Sequence, residues 1–111
     1  MLNNMRGEFT VIIDTKNVKC VLNLNAFRLL SQKFKVGLQD LDVWLNKEPL
    51  EALPGLAYCA AVNAAVREGK PGPGEYEAFA SKFFDADENI EAVTNGIEAA
   101  FGTQDDEGGK Q

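Results

Sequence analysis

Two short stretches near the start, "EFTVIID" and "NVKCVLNL", alternate apolar with polar residues, and from there on the apolar residues recur at helical spacing. In the first, Phe9, Val11 and Ile13 share one face, with Thr10 and Asp14 opposite. In the second, Val18, Cys20, Leu22 and Leu24 fall together, with Lys19 and Asn23 opposite. "DTKN" between them predicts a hairpin turn. A two-stranded hairpin is marginal by itself, so its apolar face must lie on helices. That requirement sets the fold class: α+β, an N-terminal β-hairpin followed by a bundle of four or five helices, mostly helical.

The helices follow from spacing and punctuation. Asn25 is the expected cap of the first, whose inner residues are Ala26, Phe27, Leu30 and Phe34, with Gly37 as its stop. Asp40 is the expected cap of a short helix with Leu41, Trp44 and Leu45 inside, ended by Pro49. Pro54-Gly55 predicts a further interruption. "LAYCAAVNAAVREG" reads as an alanine-rich helix ended by Gly69, its small residues allowing close backbone approach. "KPGPG" is a loop. Tyr76, Phe79, Ala80 and Phe83 then stand at i, i+3, i+4 and i+7, one helical face. Asp85 and Glu88 have capping-box spacing at the last helix, whose inner stripe is read as Ile90, Val93, Ile97, Ala100 and Phe101, closed by Gly102. Residues 1–101 are expected to form one domain, and 102–111 an acidic, disordered tail with no apolar anchor.

Charge and composition narrow the function. The chain of 111 residues carries a net charge of −6, which argues against general nucleic-acid binding. The charge is unevenly placed: residues 1–36 hold six Lys/Arg and two Asp/Glu, a net of +4, and residues 37–111 hold five and fifteen, a net of −10. Such polarity predicts salt-sensitive head-to-tail self-association. No apolar run is long enough to span a membrane, and "MLNNMRGEF" lacks the apolar core of a secretion signal. Two cysteines without CxxC spacing read as reduced, partly buried thiols.

Catalytic and ligand motifs fail on inspection. The chain has no histidine, which removes Ser–His and Cys–His nucleophiles and most zinc sites. Gly69-Lys70 and Gly109-Lys110 lack both the upstream glycine and the following Ser/Thr of a phosphate loop. "DADENIE" matches the first three calcium ligands with Asp85, Asp87 and Asn89, but Ile90 and Gly96 occupy the positions that require Gly and Glu. The expectation is a protein that is not an enzyme and carries no cofactor or metal.

Apolar residues off the main stripes point instead to partner binding. Phe84 lies about 100° around its helix from Phe83, and Leu56 and Tyr58 flank the alanine face. The aromatic cluster Phe79, Phe83 and Phe84, with Leu56 and Tyr58, is the expected partner surface.

The order of elements resembles that of the tail assembly chaperones of long-tailed bacteriophages, over roughly residues 7–101. The stretches that carry the resemblance are "GEFTVIIDTKNVKCVLNLNAF", "LLSQKFKVGLQDLDVWL", "EPLEALPGLAYCAAVNAAVREGKPGPGEYEAFASKF" and "ENIEAVTNGIEAAFG", followed by a polar tail. The resemblance implies a non-enzymatic role in the cytoplasm of an infected or lysogenic host. There such a protein binds the tape measure protein, helps recruit tail tube protein around it, and is absent from the mature virion. It carries over no catalytic or ligand residue. It also gives "GTQDDEGGKQ", which by composition reads as an ordinary frayed terminus, a second reading as the linker to a domain appended by frameshifting, Gly-Gly-Lys at 108–110 being what a slippery run of G then A would encode. The alternative class is a small acidic module that sequesters a helical or basic partner.

Overall fold

Asp14 and Thr15 both take positive φ, 55° and 66°, and make the two-residue turn that matches the twist of an antiparallel hairpin. It joins β1 (Glu8–Ile13) to β2 (Lys16–Val21), with Phe9 opposite Cys20, Val11 opposite Val18 and Ile13 opposite Lys16. The computed structural model describes residues 7–101. The acidic tail and its linker role, and the Gly102 stop, lie outside the described residues. Within them the chain continues as α1 (Leu24–Phe34), a single 3-10 turn (Leu38–Asp40), α2 (Leu41–Lys47), α3 (Pro49–Glu68), α4 (Tyr76–Phe83) and α5 (Glu88–Ala100). The fold is α+β, as the change of apolar spacing predicts.

Helix α3 is the axis of the molecule. It packs on β2, α1, α2, α4 and α5, while α5 lies along β1. Its alanines explain this: Ala52, Ala57, Ala60, Ala61 and Ala64 are all buried, so neighbouring elements approach its backbone on several sides. The core between hairpin and helices is built from Phe9, Val11, Cys20, Leu22, Leu30, Leu56, Phe79, Phe83 and Val93.

A two-stranded sheet has two bare edges, and two buried asparagines close part of each. On β1, Asn89 of α5 accepts from the Ile12 N–H at 2.7 Å and donates to the Ile12 carbonyl at 2.8 Å, as a neighbouring strand would. Its amide also donates to the Phe83 carbonyl at the end of α4, at 2.8 Å. On β2, Asn63 of α3 donates to the Val21 carbonyl and to Asn23 Oδ1, each at 2.9 Å, and accepts from Asn25 at 2.8 Å. Both side chains are 1% exposed, so these bonds form away from water, where leaving a backbone group unpaired is costly.

Several local expectations are corrected. The cap of α1 is Asn23, not Asn25: its extended backbone lets Oδ1 accept from the Ala26 N–H at 3.1 Å, and Asn25 bonds Asn63 and Arg28 instead. Leu24 therefore opens the helix and is 77% exposed rather than on the sheet's apolar face. Lys35, at φ 61°, ends α1 before Gly37 is reached. Pro49 starts α3 rather than only ending α2, and Pro54-Gly55 does not interrupt it. Proline withholds one N–H from the Leu50 carbonyl, but Leu50 sits in the exposed first turn of α3, where a missing helical bond costs less than in a buried one. Gly55 is a packing notch: a Cβ there would lie 3.1 Å from both Phe34 Cζ and Trp44 Cη2.

At the C-terminal helix the capping box of Asp85 and Glu88 does not form. Helix α5 begins at Glu88, and Asp87 precedes it without a side-chain cap bond; Asp40 likewise makes none at α2. The buried face of α5 is Asn89, Val93 and Gly96, about one residue's rotation from the expected stripe, which leaves Ile90 41% and Phe101 51% exposed. Asn89 draws the helix round, because its amide is pinned to Ile12 and Phe83.

Candidate partner-binding groove

The expected aromatic partner surface is mostly interior. Phe79, Phe83 and Leu56 are 1%, 0% and 0% exposed and belong to the core, so they present no surface to a partner. The reason is that α4 is sandwiched between α3 and β1 and buries its main stripe on both. Phe84 is half-buried and stands edge-on to Phe83, with ring centroids 5.0 Å apart. Of the five residues, Tyr58 lines an open groove between two helices.

That groove runs between α1 and α3. Its volume is about 330 Å³, and Leu29, Gln32 and Lys33 of α1 face Tyr58, Cys59 and Val62 of α3 across it. The local sequence explains the pairing. Leu29 and Lys33 are one turn apart on α1; Tyr58, Val62 and Val66 are successive turns on α3. Val66 continues the apolar row and is 69% exposed. The groove is therefore apolar along its length, with a cation and an amide on one rim.

One end of the groove is stiffened by a run of aromatic contacts. Trp44 meets Phe34, Phe34 meets Tyr76, Tyr76 meets Tyr58, and Tyr58 meets Phe79, with centroid separations of 5.2–5.4 Å. Lys33 Nζ lies 5.9, 5.6 and 5.5 Å from the rings of Phe34, Tyr58 and Tyr76. A cation over ring faces is attracted by their quadrupoles, which holds Lys33 along the rim. The Tyr58 hydroxyl donates to the Gly74 carbonyl at 2.5 Å and ties the loop before α4 to the groove. Sequence reasoning missed Phe34, Trp44 and Tyr76 as a unit because they come from three separate helices. The one local signal was Gly55, the notch that admits two of the rings.

The two phenols and the thiol here favour their uncharged forms. Burial pushes the Tyr76 phenol up to about 12, helped by Glu51, Glu77 and Cys59. Burial also raises Tyr58, with Cys59 and Glu75 adding to it. The Cys59 thiol is pushed up to about 11 by burial, against the opposing charge of Lys33. Cys20 is buried and raised further, by burial against a weaker hydrogen bond from Val11. Both cysteines are free thiols. A thiol held neutral is a poor nucleophile, so Cys59 acts as part of an apolar floor.

Among the described residues, no cluster of three or more Cys, Asp or Glu is placed to hold a metal ion, and no helix is long and apolar enough to cross a membrane. Asn89, the third residue of the discarded calcium match, is occupied by backbone groups. Comparison with protein-family models, with curated proteins and with solved structures finds no match.

Proposed function

We propose that this chain is a non-enzymatic tail assembly chaperone of a long-tailed phage. In this reading it binds and solubilises the tape measure protein and helps recruit tail tube subunits during tail morphogenesis. It acts in the cytoplasm of the host and is left out of the mature virion. The observation that carries the reading is the apolar α1–α3 groove, lined on α3 by Tyr58, Cys59 and Val62 with exposed Val66 one turn further on, in a strongly acidic chain. A groove between two helices accepts the apolar face of a third. A tape measure protein is a long helical chain with apolar patches, and acidic surface around a masked patch keeps the complex soluble. The +4 and −10 parts of the sequence give copies a means of stacking head to tail along so long a partner.

The test is co-expression with the tape measure protein of the same genome. Wild type is expected to keep it in the soluble fraction and to co-purify with it. Val66→Lys, at a position too exposed to disturb folding, is expected to lose most of that effect. An insoluble tape measure protein beside well-folded wild type overturns the proposal. Co-purification of a different helical protein in its place would favour the sequestering module.

A further inference from the structure

Strand β2 has an edge that its own fold leaves bare. Because Ile13 and Lys16 flank a two-residue turn, inward-facing backbone pairs alternate from there, which turns the N–H and C=O groups of Asn17, Lys19 and Val21 outward. The Leu22 N–H bonded to the Gly7 carbonyl at 3.0 Å keeps the same alternation at the far end. Asn63 takes the Val21 carbonyl. Among the described residues, the backbone groups of Asn17 and Lys19 have no hydrogen-bond partner.

These two residues border a cleft of about 310 Å³ between β2 and the last turns of α3. Ala61, Ala64 and Ala65 form its floor, and Pro71 and Pro73 roof it. Past Val18 and Pro73 it runs on into a second hollow of about 400 Å³. Four lysines line the two parts, Lys16, Lys19, Lys70 and Lys82, against two acids, Asp14 and Glu68, on a chain whose net charge is −6. Lys19 and Lys70 share Glu68 at 2.6 and 3.2 Å, Lys19 also pairs with Glu8 on β1 at 3.2 Å, and Lys82 reaches Asp14 at 3.7 Å, so four lysines face three acids in all. Lys16 has no ion partner among the described residues.

We propose that the outer edge of β2 takes an extended, acidic peptide segment of a partner protein as a third strand. The unpaired N–H and C=O groups of Asn17 and Lys19 would bond its backbone. Alternate side chains would enter over the alanine floor, and acidic ones would meet the lysines. A second copy of this chain is disfavoured as occupant, because antiparallel pairing of two β2 edges through Asn17 and Lys19 brings the lysines of both copies onto one short ladder. The proposal does not rest on the chaperone reading; this cleft and the α1–α3 groove lie on different faces of α3.

The test titrates the full, isotope-labelled chain with a blocked synthetic peptide alternating glutamate and valine. The amides of Asn17 and Lys19 are expected to shift and to become protected from hydrogen exchange, while that of Val18, already facing β1, changes little. Replacing glutamate by lysine in the peptide, or N-methylating the backbone groups on its bonding edge, is expected to weaken binding by on the order of tenfold or more. Added salt weakens the acidic peptide's binding. Either modified peptide binding as well as the parent overturns the proposal, as does the absence of any response at Asn17 and Lys19. Protection of those amides without peptide also overturns it: if it depends on protein concentration, a second copy holds the edge, and if not, another part of this chain does.

Discussion

Replacing Asn89 by alanine removes three hydrogen bonds at once and should be among the most damaging single changes at a polar position. The bonds run to the Ile12 N–H, the Ile12 carbonyl and the Phe83 carbonyl, at 2.7, 2.8 and 2.8 Å, from a side chain 1% exposed. Each intramolecular hydrogen bond is worth about 1 kcal/mol net, and a buried group left unpaired costs about 1–3 kcal/mol. The Phe83 carbonyl is buried and bears the full penalty; Ile12 is half-buried, so water recovers part of the other two. The expected loss is about 3 kcal/mol, which lowers the melting temperature by roughly 10–20 °C for a domain of this size. Urea unfolding followed by the single tryptophan, Trp44, reads it directly. The midpoint should fall with the slope unchanged. Thr94→Ala is the control: its hydroxyl bonds the Ile90 carbonyl at 2.9 Å on an exposed face, and its loss should cost less than about 0.5 kcal/mol. An Asn89→Ala loss as small as the control's would refute the claim that this side chain substitutes for a missing strand.

Other outcomes follow from packing and ionisation. Gly96→Ala gains about 1 kcal/mol of helix propensity, but its Cβ would stand 2.4 Å from Phe9 Cδ1, so net destabilisation is expected; a stabilised variant in thermal melts would contradict the packing of α5 on β1. Cys20, 0% exposed with its thiol held neutral, should react with a thiol reagent only through unfolding, and rapid labelling of Cys20 in the native protein would contradict its burial. Tyr76 should ionise near pH 12, above the usual 10. Because the native state then holds its proton longer than the unfolded chain, stability should fall as pH rises from about 10 to about 12. A phenolate titration complete near the ordinary value would refute it.

Features fixed by near neighbours were readable from the residues. The two alternating strands were readable, although the turn is Asp14-Thr15 and Lys16 and Asn17 of the expected DTKN turn belong to β2; so were the later turns of α3 from their alanines and the Gly69 stop, and the face of α4 from Tyr76, Phe79 and Phe83. Features fixed by distant partners were not. Asn89 reads as a third position of an acidic helix start, yet its partner Ile12 is 77 positions away. Asn63 sits in an alanine-rich run, and its bond to Val21 spans 42. Pro54-Gly55 has the composition of a break, yet α3 runs through it, and the rings of Phe34 and Trp44 that pack at Gly55 come from other helices. The aromatic cluster was expected outside because Phe84 falls off the stripe. In the fold, α3 and β1 cover Phe79 and Phe83 from two sides, and the open apolar surface moves to Leu29, Val62 and Val66.

The direct measurement of the central claim is chemical-shift mapping of the labelled protein with an apolar helical segment of the tape measure protein. Perturbations are expected to concentrate at Leu29, Lys33, Tyr58, Val62 and Val66, and to be lost in Val66→Lys. Binding that leaves these residues unmoved, or no binding at all, would contradict that claim.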